Sequence, residues 1–153
     1  MTSPTRNAAP SDSRSGRILA IDYGQKRIGL AISDEMGLTA QPLQTLQRTN
    51  RRNDIRRLRE IARKHAVRRI VVGHPVHLDR TESEMAAEAT RFAARLRKEL
   101  GLPVELADER LSSWEEEQVL AEAGKKKQAG NAVDHIAAAV ILRDYLARAK
   151  SKE

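Results

Sequence analysis

Four carboxylates stand where an element of the chain begins or ends: Asp22, Asp108, Glu109 and Asp134. Asp22 closes the apolar run Arg17-Ile18-Leu19-Ala20-Ile21 and is followed at once by the turn signal Tyr23-Gly24. A carboxylate at the end of a buried strand is costly to desolvate unless something positive meets it. Asp108 and Glu109 follow a short apolar run at 103–107, and Asp134 opens a helical stretch carrying Ala137-Ala138-Ala139. Strand ends and a helix start can meet at one edge of a sheet. Carboxylates gathered there repel one another unless a cation neutralises them. Hard oxygen donors select Mg²⁺ or Mn²⁺. Two such ions about 4 Å apart can bind the attacking and leaving oxygens of a phosphodiester, with water as the nucleophile. Each acid also has an ordinary structural use. Asp22 can cap the turn at 23–26, Glu109 can pair with Arg110 or Arg27, and Asp134 can favour a helix N-terminus through the dipole.

The elements that must position these acids read as follows. Residues 17–22 and 27–33 are short apolar runs that read as paired strands around the turn. A third strand over 38–46 contains Pro42, which confines it to a sheet edge or a bulge. A helix over 53–66 places Ile55, Leu58, Ile61, Ala62 and His65 on one side and Arg52, Arg56, Arg59 and Arg63 on the other. Residues 69–73 form a short buried strand, and 82–100 a helix with the stripe Met85, Ala89, Phe92, Leu96, Leu100, stopped by Gly101. Residues 103–107 make the last strand. A helix capped by Ser112 or Ser113 follows, then the basic linker 124–130, then a final helix from about 132 to 149. The order β-β-β-α-β-α-β-α-α predicts an α/β fold: a five-stranded mixed sheet flanked by helices on both faces. Residues 1–16 and 150–153 read as tails around one domain at 17–149.

Composition sets the partner class. The chain has 153 residues, no cysteine, 40% hydrophobic and 32% charged residues, and a formal charge of +7. Without cysteine it forms neither disulfides nor thiolate zinc sites, which is compatible with a reducing, cytoplasmic setting. No apolar stretch approaches the roughly 20 residues that span a bilayer. Between Arg48 and Arg69 there are ten basic residues against Asp54 and Glu60. A patch this concentrated fits a polyanion, or is simply a solvated arginine-rich helix face. The linker Lys125-Lys126-Lys127 is a second basic cluster.

Four segments carry a resemblance: Ile21-Asp22-Tyr23-Gly24-Gln25-Lys26-Arg27-Ile28-Gly29, Val71-Val72-Gly73-His74-Pro75, Asp108-Glu109-Arg110-Leu111-Ser112-Ser113 and Val133-Asp134-His135-Ile136-Ala137-Ala138. In type, order and spacing they resemble the motifs of the YqgF/RuvX family, over about residues 16–148. The resemblance implies an RNase H-like fold and a nuclease that processes the 5′ end of the 16S ribosomal RNA precursor. It implies Asp22, Glu109 and Asp134 as metal-binding catalytic acids, Asp108 as a further metal ligand, and one or two Mg²⁺ or Mn²⁺ ions. It implies that Arg27 and Arg110 lie near the scissile phosphate, with Lys26 beside them; Arg56, Arg59, Arg63 and Lys125 to Lys127 would hold the strand. The family commonly has Leu and Gly where this chain has His74 and Arg80.

Other classes compete. The partner can be structured RNA, including a precursor on the small ribosomal subunit, or branched DNA cut by a junction resolvase, which needs two active sites on opposed strands. A non-catalytic RNA-binding protein needs only the basic helix. An actin-like ATPase shares the Asp-x-Gly hairpin but needs a second hairpin and a second domain, which 153 residues do not supply. His74 and His77 are three residues apart in a loop, weak spacing for zinc.

Overall fold

The computed structural model describes residues 16–74, 84–108 and 130–151. Its elements are β1 (Arg17–Tyr23), β2 (Arg27–Ser33), β3 (Ala40–Gln47), α1 (Arg51–Lys64), β4 (Val67–His74), α2 (Glu84–Leu100), β5 (Val104–Asp108) and α3 (Gly130–Ser151). The expected helix after Ser112 lies outside the described residues, and α3 runs to Ser151, into the expected C-terminal tail. Every other expected element is present.

The five strands form one mixed sheet in the order β3-β2-β1-β4-β5. β1 pairs antiparallel with β2 and parallel with β4, and β4 pairs parallel with β5. β3 is an edge strand, as Pro42 requires, and the β2–β3 register shifts between Leu30 and Ala31, opposite that proline. Most boundaries shift by a residue or two, and three of the shifted starts have a clear local reason. β3 starts at Ala40 because the Asp34 carboxylate takes the backbone N–H of Leu38 (2.7 Å) and Thr39 (2.8 Å) into the preceding loop. α1 starts at Arg51 because the Asn50 side chain accepts from the Asn53 N–H at 2.9 Å, an N-cap. β4 starts at Val67 because that residue already pairs with Arg17.

Alternation along β1 divides the core. Leu19, Ile21 and Tyr23 pack with Ile28 and Leu30 of β2, Ile55 and Leu58 of α1 and Phe92 and Leu96 of α2. Ile18 and Ala20 point the other way, to Ala138 and Leu142 of α3. Val71 and Ala107 continue that side against Ile141. Two helices therefore cover one face and α3 covers the other. Gly101, at φ +69, closes α2 by donating its N–H to Arg97 O at 3.0 Å. Among the described residues, no helix is long and apolar enough to cross a membrane.

Candidate functional site

Asp22 shares the parity of Ile18 and Ala20, so its side chain belongs to the α3 face of the sheet. Directly opposite it on β2 is Gly29, and opposite Gly29 on β3 is Thr45. On the other flank, Ile21 pairs with Val72, so the next residue of β4, Gly73, falls beside Asp22; Gly73 in turn pairs with Ala107 of β5. One row across the whole sheet thus reads Thr45, Gly29, Asp22, Gly73, Ala107. The carboxylate stands between two residues with no side chain. Glycine inside a strand weakens it and marks a place where something must approach closely. Neither glycine was singled out as a site residue from the sequence. The signal that could have found them is their position inside otherwise β-branched and apolar runs.

The start of α3 is tied to the same row. Thr45 Oγ1 and His135 Nδ1 share a hydrogen bond at 2.9 Å. Asp134 is the residue before His135, and it stands two helical turns before Ile141, which packs on Val71 and Ala107. His135 was part of a quoted motif, but no positioning role was read from it. Asp108 is the last residue of β5 and pairs with His74, one step beyond the glycine row. Neighbouring strands lie about 4.8 Å apart, which puts the ends of β1 and β5 about 10 Å apart at the backbone. Glu109, Arg110, Lys125, Lys126, Lys127, His77 and Arg80 lie outside the described residues. Among the described residues no three metal-binding side chains converge.

Arg27 has the parity of Gly29 and Ala31, so it shares the Asp22 face, diagonal to the carboxylate across the β1–β2 pair. Lys26 is exposed at the hairpin tip. His74 does not join them. Its Nε2 lies 3.3 Å from Thr90 Oγ1 of α2, on the opposite face, which leaves it poorly placed to move a proton at Asp22.

The hairpin carrying Asp22 is held by a residue counted at first only as positive charge. Arg48 Nη1 donates to Gly24 O (2.8 Å) and Gln25 O (3.1 Å), and its backbone N–H donates to Lys26 O (2.9 Å). Its guanidinium carbon sits 4.4 Å from the centroid of the Tyr23 ring, and Tyr23 stacks on Phe92 at 4.1 Å. Such a cation–π contact is worth about 1 kcal/mol or more where water is excluded. Burial pushes the Tyr23 hydroxyl above its ordinary pKa, with Arg48 pulling the other way, so the ring stays neutral and serves as a spacer. Gly24 has no room for a side chain here: a Cβ would meet Arg27 O at 2.9 Å.

The basic patch divides similarly. Arg57 donates to Gln47 O and to the buried Asp54, both at 2.7 Å, and Arg69 pairs with Glu105. With Arg48 these cations are used inside the fold, and Arg59 reaches across to α2, donating to Glu99 O at 3.3 Å. Arg56, Arg59 and Arg63 lie on α1, which packs on the Leu19, Ile21 and Tyr23 face. The arginine stripe and the Asp22 carboxylate are therefore on opposite faces. Between Arg52 and Arg63 the stripe runs about 16 Å along the helix, away from the edge where Asp22 ends.

The chain matches the family described as "RuvX: Holliday junction resolvase" over residues 16–148. It is 48% identical over 134 residues to a Koribacter versatilis protein named "Putative pre-16S rRNA nuclease", covering 87% of this chain and 88% of that one. Proteins with the same name from Syntrophus aciditrophicus (46% identity; 85% and 87% covered) and Geobacillus kaustophilus (45%; 85% and 96%) are similar. Among solved structures, "T. thermophilus RuvC in complex with Holliday junction substrate" superposes with a TM-score of 0.58 at 17% identity, covering 88% of this chain and 96% of that one. This is a likeness of fold, and the fold is RNase H-like.

Proposed function

Because this chain belongs to the RuvX family, we propose that it is a metal-dependent nuclease that hydrolyses phosphodiester bonds, acting on the 5′ end of pre-16S rRNA in the cytoplasm. The observation that carries the reading is the glycine-flanked carboxylate: Asp22 between Gly29 and Gly73, in the row where Thr45 anchors the start of α3. The relatives' names support the RNA substrate.

A hard divalent cation fits this place. The donor is a carboxylate oxygen, the kind of hard ligand such an ion takes, and neither strand neighbour sets a side chain beside it. Asp22, Glu109 and Asp134 would hold one or two Mg²⁺ or Mn²⁺ ions, with Asp108 as a further donor. The metal would supply Lewis-acid charge that lowers the pKa of an attacking water and stabilises the leaving oxygen. The protein's own share is positioning. Arg27 and Arg110 would grip the non-bridging phosphate oxygens, because a guanidinium fork binds two oxygens at once. Lys26 would meet the next phosphate around the hairpin tip. Arg48 would keep that hairpin in one shape by holding two of its carbonyls. His135 would fix the start of α3, and with it Asp134, over the row.

The test separates chemistry from binding. Asp22→Asn keeps the shape and removes the charge. Mg²⁺-dependent cleavage of a precursor RNA bearing its 5′ leader should fall about a thousand-fold, while affinity for that RNA measured in EDTA changes little. Cleavage by Asp22→Asn at the wild-type rate would exclude the catalytic reading and leave a non-catalytic RNA-binding protein. The family description favours a second substrate, a four-way DNA junction. Symmetric cutting of a junction needs two active sites, so it predicts a dimer on the DNA. A monomer bound to the junction in analytical ultracentrifugation would exclude it.

A further inference from the structure

A groove of about 600 Å³ lies between α1 and α2, lined by Arg51, Arg52, Ile55, Arg56, Arg59, Arg95 and Glu99. Five arginines face a single carboxylate. Ile55 belongs to the core of the α1/α2 face, so the groove is on the side of the sheet away from the Asp22 carboxylate. We infer that this groove is a separate binding site for the phosphodiester backbone of nucleic acid, which holds the substrate at a distance from the place where it is cut. The inference rests on the nucleic-acid reading above.

Three observations carry it. First, the groove already holds an anion. Glu99 lies between two guanidiniums: Arg59 Nη2 is 3.7 Å from its Oε1, and Arg95 Nη1 is 3.4 Å from its Oε2. A carboxylate gripped from both sides shows that these arginines converge closely enough to clamp one anionic group. Second, the positive charge exceeds what the fold uses. Arg56 is engaged by the exposed Glu60 at 3.4 Å and by Asn53, whereas Arg51 and Arg52 have no acidic partner among the described residues. Arg52 and Arg56 are spaced i, i+4, where like charges destabilise a helix by a few tenths of a kcal/mol. A polyanion in the groove would relieve that repulsion. Third, the dimensions match. From Arg51 to Arg59 the helix rises about 12 Å. One strand of a duplex advances about 3.4 Å per phosphate, so the groove spans three to four phosphates.

The chemistry also defines what the groove does not read. No aromatic side chain lines it, and Tyr23 and Phe92 are consumed by their mutual stack. Without stacking platforms or amide side chains aimed at base edges, recognition is of backbone charge alone, independent of sequence. RNA and DNA share that chemistry. The helix begins just after Arg48, which clamps the Gly24–Gln25 turn. A strand leaving the groove past Arg51 and Arg52 therefore meets the hairpin tip, where Lys26 is exposed, before it can turn onto the Asp22 face.

The test measures binding in EDTA, where cleavage is suspended, using an RNA hairpin with a single-stranded 5′ extension and its DNA counterpart. Affinity is measured against salt. The triple variant Arg51→Gln, Arg52→Gln, Arg56→Gln should reduce the slope of log affinity against log salt by roughly two to three for both probes. Glu99→Gln removes the carboxylate that lines the groove and should act in the opposite direction, tightening binding several-fold. A wild-type slope in the triple variant, or no gain in Glu99→Gln, overturns the groove assignment, as does a wild-type protein that binds neither probe. The nuclease reading is judged separately, by Asp22→Asn in Mg²⁺. Cleavage with an unchanged slope sinks the groove alone, and a reduced slope without cleavage sinks the nuclease alone.

Discussion

The two faces of the sheet are built from different materials. The face under α1 and α2 is packed with Leu19, Ile21, Ile28, Leu58, Ile70, Phe92 and Leu96, all buried. The face under α3 mixes Leu142, Val71 and Ile141 with Ala20, Ala31, Ala107 and Ala138, and ends in the row Gly29, Asp22, Gly73. Large aliphatic side chains bury the most apolar area per residue and supply most of the stability. Small ones let a helix approach the sheet closely. The comparison suggests a division of labour under the proposed function: one face carries most of the large apolar packing, and the other ends in the glycine-flanked Asp22 where the proposed ion would sit.

That division can be broken most forcefully from the stable side. Leu58→Ala opens a cavity where the side chain has no exposure and should cost about 3 kcal/mol in urea unfolding. The rate per folded molecule should not change. A loss of rate without a loss of stability would erase the distinction between the faces. Next in size is Gly29→Val on the other face. Gly29 is buried, so the added bulk should also cost about 1–3 kcal/mol in unfolding. The isopropyl group would crowd Asp22 and should lower cleavage per folded molecule about 100-fold through misplacement of the reacting groups. Full activity in Gly29→Val would show that the glycine row is not needed.

The smallest effect contrasts the two edges of the sheet. Asp34 ends β2 at the opposite edge from Asp22, and its carboxylate accepts the N–H groups of Met36, Leu38 and Thr39 and the Thr39 hydroxyl. Those bonds, the Thr39 amide first, hold its pKa below the ordinary 3.8. A lowered carboxylate stabilises the fold at pH well above 3.8, and that contribution is lost as pH falls through the folded value. Asp34→Asn should therefore melt below wild type at neutral pH, with the gap closing under acid. A gap that widens in acid would contradict the assignment. If the gap closes, Asp34 is a loop-shaping carboxylate, in contrast to the catalytic role proposed for Asp22.

Much of this was legible before folding. The two apolar runs on either side of Gly24 marked β1 and β2, the period of 3.6 over Ile55, Leu58 and Ala62 marked α1, and Pro42 marked an edge strand. Asp22 stood out because a carboxylate ending an apolar run needs a reason. The use of individual arginines was not legible. Arg48, Arg52 and Arg57 look alike in a charge count, yet Arg48 clamps a hairpin, Arg57 neutralises the buried Asp54, and only Arg52 faces the groove.

The sequence alone determined which residues alternate and where each element stops, because those properties depend on neighbours a few positions away. Only the tertiary structure decided that Thr45, Gly29, Asp22, Gly73 and Ala107 stand in one row, and that the arginine stripe faces away from it. Strand order and register join residues dozens of positions apart. A strand's own pattern says which side a residue faces, but not which strands will stand beside it.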